Sequence, residues 1–401
     1  MKFSSKIESC QLSPIRKFYP YVVKAEAKGR TVHHLNIGQP DIETPREFFD
    51  AVHSFSSKVL EYAPSPGVGE FLDAIRNYYR NVGVAIENQD ILATYGGSEA
   101  LQIVLSCILD EGSEVLVPEP YYPNYDTFVK VAGGVIRPIE TTPEEGYRFA
   151  SRERIEPLIN ERTRAIMMTN PGNPTGVVLN AEERQIMADI AREHDLFLIS
   201  DEVYRELVYH GEELHSMLEH READENVVIV DSVSKRFSAT GSRVGVVVSR
   251  NRELMTHALK LCQSRLCTAT LDQIGAAAMY NALTPDFYAE MRTEYRRRRD
   301  AVVEALSKIP GAKFEVPDGA FYLMVTLPVD DTEKLQYFLL EEFEDHGETV
   351  MYAPGNGFYT TPGKGKNEIR VAYVNNCAEL TRSIELLGLG IQAYLAKEGK
   401  A

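Results

Sequence analysis

In this 401-residue chain the residues able to do chemistry cluster just past short apolar runs. After residues 165–168 comes Thr169-Asn170-Pro171-Gly172-Asn173-Pro174-Thr175-Gly176. After 196–199 comes Ser200-Asp201-Glu202-Val203-Tyr204, and after 227–230 comes Asp231-Ser232-Val233-Ser234-Lys235, with Arg243 opening the next run. Gly96-Gly97-Ser98 follows Ile91-Leu92-Ala93 at the head of a helical pattern. Free backbone N–H groups at a helix N-terminus form an anion site, and glycine lets a phosphate approach closely. Two X-Pro bonds within four residues stiffen a loop that can hold the Asn173 amide in place. Taken singly, each piece has a plainer reading: Gly96-Gly97-Ser98 as a turn, Asp201 as a helix cap, Lys235 as a surface lysine. Their shared order relative to the apolar runs makes the set improbable by chance.

The elements that must position these residues can be read from periodicity. Phe71, Leu72, Ile75, Tyr78 and Tyr79 recur at helical spacing, as do Leu101, Val104, Leu105 and Ile108. Between such helices lie continuous apolar runs at 115–117, 165–168, 196–199, 227–230 and 244–248, which read as buried strands of a mainly parallel sheet. Only 13 residues separate Val230 from Val244, and they are poor in helix formers. A parallel crossover needs a dozen or more residues, usually with a helix inside, so strand 244–248 is expected to run antiparallel. Its start then lies at the edge where the other strands end, and ligands of open α/β sheets bind outside the carboxyl ends of the strands.

After residue 284 the texture changes to a long polar helix over 285–307, strand-like segments at 321–325, 349–352 and 369–373, and a final helix. The expected fold is therefore α/β. A large cofactor domain over 37–284 has a mainly parallel sheet with one antiparallel strand, a smaller α+β domain covers 285–401, and an N-terminal arm over 1–36 packs with the small domain.

A net charge of −16 disfavours nucleic acid and anionic lipid as partners. The basic run Arg296 to Arg299 lies among acids and reads as a solvated helix face with i,i+4 ion pairs. No stretch approaches the roughly 20 apolar residues of a membrane helix, and the N-terminus has no apolar signal segment. Cys10, Cys107, Cys262, Cys267 and Cys377 are scattered without metal-site spacing, so reduced thiols in a cytoplasmic protein, and no metal, are expected.

From Asn36-Ile37-Gly38-Gln39-Pro40-Asp41 to Asn367-Glu368-Ile369-Arg370-Val371-Ala372-Tyr373, the chain resembles the class I aminotransferases of the aspartate aminotransferase superfamily, the fold type I pyridoxal-phosphate enzymes. Asn173-Pro174-Thr175-Gly176, Asp201-Glu202-Val203-Tyr204 and Ser232-Val233-Ser234-Lys235 stand at that family's order and spacing. The resemblance implies that Lys235 carries pyridoxal 5'-phosphate as a Schiff base and later moves a proton at the substrate's Cα. Asp201 would pair with the pyridinium nitrogen, Tyr204 and Asn173 would hydrogen-bond the ring's phenolic oxygen, and Tyr122 would stack on the ring. Gly96, Gly97, Ser98, Ser232 and Arg243 would hold the phosphate. Tyr62 would reach it from the neighbouring subunit, which implies a homodimer with shared active sites. Arg370 would grip the substrate α-carboxylate, with the Gly38 backbone against the substrate.

The implied reaction moves an amino group from an L-amino acid, best read as aspartate, to a 2-oxo acid such as 2-oxoglutarate, through a pyridoxamine intermediate. Arg265 is the candidate for reading a side-chain carboxylate from the other subunit, although its register fits imperfectly. Without it, aromatic or neutral donors are equal alternatives. The same cofactor residues also serve carbon–sulfur β-lyases and cyclopropane-forming synthases. A regulator on this fold would carry a DNA-binding domain ahead of it, whereas the match here begins within the first 40 residues.

Overall fold

The computed structural model describes residues 1–209 and 215–399. Among the described residues there are twelve strands: β1 Thr31–His34, β2 Ile91–Thr94, β3 Glu114–Glu119, β4 Val135–Glu140, β5 Thr163–Thr169, β6 Phe197–Asp201, β7 Val227–Ser232, β8 Gly245–Val248, β9 Tyr322–Thr326, β10 Glu348–Met351, β11 Ala353–Pro354 and β12 Glu368–Ala372. Seven of them form one sheet in the order β2-β8-β7-β6-β5-β3-β4. β8 is antiparallel to both of its neighbours, and the other pairings in the sheet are parallel. The expected α/β sheet with one reversed strand is what forms.

The sheet is apolar on both faces, which explains the unbroken hydrophobic runs. Side chains alternate along each strand. Leu116, Ile166, Met168, Leu198, Val227 and Ile229 enter one core. Val115, Val117, Ala165, Met167, Ile199, Val228 and Val230 enter the other. Each fully buried Val, Leu or Ile of this kind stabilises the fold by about 1.5–3 kcal/mol. Helices cover both faces. One of them, Ala181–Glu193, is started by a reciprocal cap in which the Asn180 side chain accepts from the Glu183 N–H and the Glu183 carboxylate accepts from the Asn180 N–H.

A second, smaller sheet runs β11-β12-β9, wholly antiparallel. Its inward residues Phe321, Leu323, Val325, Ile369 and Val371 share a third core with the helices Pro285–Leu306 and Cys377–Lys397. Near it, β1 pairs in parallel with β10, and Phe18, Val22, Ala25 and Val32 pack on Leu340 and Met351. The basic run differs from expectation. Arg298 and Arg299 are buried, with Arg298 paired to Glu294 and Asp41, and Arg299 bound to Asp300 and the Pro317 carbonyl. Only part of that helix face is solvated, because the neighbouring loops fold over it.

Candidate active site

β5, β6 and β7 end side by side at Thr169, Asp201 and Ser232, while β8 begins beside Ser232 at Gly245. Asp201 is the last residue of its strand, buried to 7% exposure. Its carboxylate accepts from the Tyr125 hydroxyl at 2.7 Å and, more weakly, from the Val203 N–H at 3.4 Å. Burial pushes its pKa up to about 6. The Tyr125 and Val203 hydrogen bonds oppose that rise, nearby Asp231 adds to it, and Lys235 works against it. Among the described residues no cation forms a salt bridge with this carboxylate.

Past β7 the chain enters the short helix Val233–Arg236, which carries Lys235. The Lys235 ammonium donates to the Gly38 carbonyl at 2.8 Å. Behind it lies a fully buried ionic cluster. Asp231 accepts from Arg236 at 2.9 Å, from Arg205 at 3.4 Å and from the Ser232 N–H at 2.7 Å. These bonds fix the end of β7 on both sides of the lysine, since a buried charge is tolerated only when paired in this way.

The Gly-Gly-Ser turn begins the helix Gly96–Ile108. Gly96 has φ +74°, and a Cβ there would lie 2.5 Å from an Arg243 guanidinium nitrogen, so only glycine allows that approach. Arg243, itself at φ 53°, donates to the Thr240 and Tyr95 carbonyls at 3.0 and 3.3 Å. On the opposite side β12 presents Arg370, which is 2% exposed. It donates to the Asn173 side-chain oxygen at 3.0 Å and the Asn36 carbonyl at 2.6 Å, and its guanidinium lies 4.3 Å from the centre of the Tyr322 ring. Its Nε has no partner, and burial pulls its pKa down. The Tyr204 hydroxyl lies 3.2 Å from that of Tyr322.

These groups line one cleft of about 450 Å³, a size suited to a small ligand. Gly38, Gly97, Ser98, Tyr122, Asn173, Asp201, Tyr204, Ser232, Lys235, Arg243 and Arg370 all face it, and Gly96 supports Arg243 from behind. Two residues expected to act from the neighbouring subunit lie outside this chain's own cleft. Tyr62 is 79% exposed and lines a separate hollow with Val59, Leu60, Tyr95 and Cys267. Arg265 also lies outside: its Nε is 3.1 Å from Glu99, and another of its nitrogens donates to the Ala93 carbonyl at 2.5 Å. Held in this way, its guanidinium is withdrawn from the cleft of its own chain. Tyr125, Tyr322, Asn36 and the Asp231 cluster were not singled out from the sequence. Tyr125 stands three residues past Tyr122, about one helical turn away, and that spacing is the signal that could have found it.

The profile of the family described as "Aminotransferase class I and II" matches residues 30–385. The chain belongs to the class I and II aminotransferases. It is 34% identical over 360 residues to the aspartate/prephenate aminotransferase of Thermus thermophilus, spanning 88% of this chain and 89% of that one. To the aspartate aminotransferase of Bacillus sp. YM-2 it is 32% identical, over 90% of this chain and 91% of the other. A solved Thermus thermophilus aspartate aminotransferase matches with a TM-score of 0.88 at 30% identity, covering 97% of this chain and all of that one. As an aminotransferase, the chain is an enzyme that transfers amino groups. Among its described residues no helix is long and apolar enough to cross a membrane, and no cluster of His, Cys, Asp or Glu could hold a metal.

Proposed function

We propose that this aminotransferase uses pyridoxal 5'-phosphate to move the amino group of L-aspartate to 2-oxoglutarate. The observation that carries the reading is a pair of uncompensated buried charges in one cleft: the Asp201 carboxylate without a cation and the Arg370 guanidinium with an unpartnered Nε. Burying such charges is costly without a partner, so the cleft favours a ligand that is cationic at one end and carboxylate-bearing at the other. The donor set fits the cofactor. The amine of Lys235 suits its aldehyde, Asp201 its ring nitrogen and the Tyr122 ring its face, while Gly97, Ser98, Ser232 and Arg243 suit its phosphate. Tyr204 and Asn173 supply hydrogen-bonding groups for its phenolic oxygen.

When bound, pyridoxal phosphate supplies an electrophilic carbon and a protonated ring that draws electrons away from the substrate's Cα. Asp201, ionised by a cationic partner, keeps the ring nitrogen protonated. Lys235 Nζ takes the proton from Cα and returns it on the far side of the transfer. Arg370, aimed by Asn173 and the Asn36 carbonyl, holds the α-carboxylate and thereby fixes which Cα bond is presented. Aspartate as donor is supported by the names of relatives such as the Thermus thermophilus and Bacillus sp. YM-2 enzymes, at 34% and 32% identity. The exposed Tyr62, Val59 and Leu60 make a surface suited to a second copy of the chain, so a homodimer belongs to the same reading.

The test is a half-reaction without oxo acid. The loaded protein, mixed with aspartate, is expected to lose its yellow absorbance and form one oxaloacetate per chain, faster than with tyrosine or alanine. Conversion led by tyrosine would keep the transfer and reject aspartate. Release of pyruvate and ammonia from cystathionine, with the yellow colour retained, would replace the transfer by a lyase reaction.

A further inference from the structure

With Arg265 engaged by Glu99, a dicarboxylic substrate still needs a cation for its second carboxylate. Among the described residues, four cationic side chains face the cleft: Arg16, Lys235, Arg243 and Arg370. Arg243 stands at the glycine turn, Lys235 carries the reactive amine, and Arg370 serves the α-carboxylate. Arg16 is left without an assigned role.

Three observations place it at the substrate end. The first is a chain of hydrogen bonds: Arg370 donates to the Asn36 carbonyl at 2.6 Å, and the Asn36 amide reaches the Ile15 carbonyl at 3.5 Å, one residue before Arg16. The second is that the turn around Arg16 is firmly seated. Its N–H donates to Ser13 and its carbonyl accepts from Tyr19, each at 3.1 Å, while Lys17 pairs with Glu333 and Phe18 is fully buried. The third is that the Arg16 side chain is exposed at the cleft mouth and, among the described residues, has no hydrogen-bond or ion-pair partner. Tyr122 lines the same cleft, and the positive charges of Arg16 and Arg370 both act on its hydroxyl.

We infer that Arg16 is the specificity residue for the side-chain carboxylate of the substrate, working as the second prong of a pair with Arg370. The inference rests on the dicarboxylate reading above. A guanidinium suits this task because its fork pairs with both oxygens of a carboxylate. Its position on a seated turn lowers the ordering cost that a free surface arginine would carry. Monocarboxylic donors engage only Arg370, so the preference between the two classes is set in part by Arg16.

Calorimetric binding of succinate and propionate to the cofactor-loaded enzyme separates the claim from turnover. Wild type is expected to favour succinate. Arg16→Gln should cut that preference about 10- to 100-fold, the range of a charge-assisted hydrogen bond, and Arg16→Lys should restore part of it. Equal weakening of both ligands by Arg16→Gln, an unchanged preference, or a wild type that binds the two alike would overturn the assignment. If succinate is preferred through Arg16 but aspartate gives no oxaloacetate, the proposed reaction fails while Arg16 stands as a dicarboxylate reader.

Discussion

At the scale of single residues, the site is governed by charges that the fold buries without completing. Asp201 shows the consequence. Its folded pKa is raised from 3.8 to about 6, so the cofactor-free fold holds the proton more tightly than the unfolded chain does. Stability from this preference is present below about pH 4 and lost as pH rises through 6, by roughly 3 kcal/mol at 1.36 kcal/mol per unit. Asp201→Asn has no charge to lose. In urea unfolding of the cofactor-free proteins, wild type should therefore fall relative to the variant between pH 4 and 7. A difference independent of pH would mean that the carboxylate is better solvated than its 7% exposure implies. In the loaded enzyme the sign should reverse, because Asp201→Asn removes the proposed partner of the ring nitrogen and cofactor binding is expected to weaken.

Among the elements, the closest tolerance lies where β8 meets the glycine turn. A Cβ on Gly245 would stand 2.6 Å from the Gly96 carbonyl carbon and 2.8 Å from the Asp231 carbonyl oxygen, both backbone atoms that cannot swing aside. Gly245→Ala should therefore cost about 1–3 kcal/mol in chemical denaturation and weaken pyridoxal phosphate binding, because the strand must leave Gly96. Gly241→Ala, with nothing within 4 Å, serves as the control and should stay within about 0.5 kcal/mol. Equal effects would locate the tightness elsewhere.

The same elements explain what could be read from the sequence. Strands β3, β5, β6, β7 and β8 are buried on both faces, so their apolar runs are continuous and visible. β4 escaped notice because it is an edge strand with exposed Val135 and Glu140 and a proline at its middle. β1, Thr-Val-His-His, is too short and polar to declare itself and depends on β10 for its place. Lys235, Asp201 and Asn173 were legible because strand ends deliver them. Arg16 was not, since its turn is carried to the cleft by the packing of Phe18 and the pairing of Lys17, contacts between residues more than 300 apart in the chain. Arg265 is read from its neighbourhood alone, and within the single chain Glu99, on another helix, engages its guanidinium.

For the molecule as a whole, a net charge of −16 surrounds a cleft whose described lining carries four cations and one acid. Such a contrast concentrates anionic ligands at the cleft while the outer surface repels them. The cleft also joins the seven-stranded sheet to the three-stranded one: Asp201 ends a strand of the first, Lys235 follows another on a short helix, and Arg370 comes from the second. A substrate bridging Arg370 and Lys235, as proposed, would therefore couple the cores of the large sheet to that of the small one.

Lys235 is the proposed attachment point of an aldehyde cofactor. Borohydride reduction of the pyridoxal-phosphate-loaded protein, followed by proteolysis and mass spectrometry, addresses it directly. One equivalent of pyridoxyl phosphate per chain is expected on the peptide containing Lys235, and none in Lys235→Ala. Label spread over surface lysines, or an undiminished label in the Lys235→Ala protein, would contradict it.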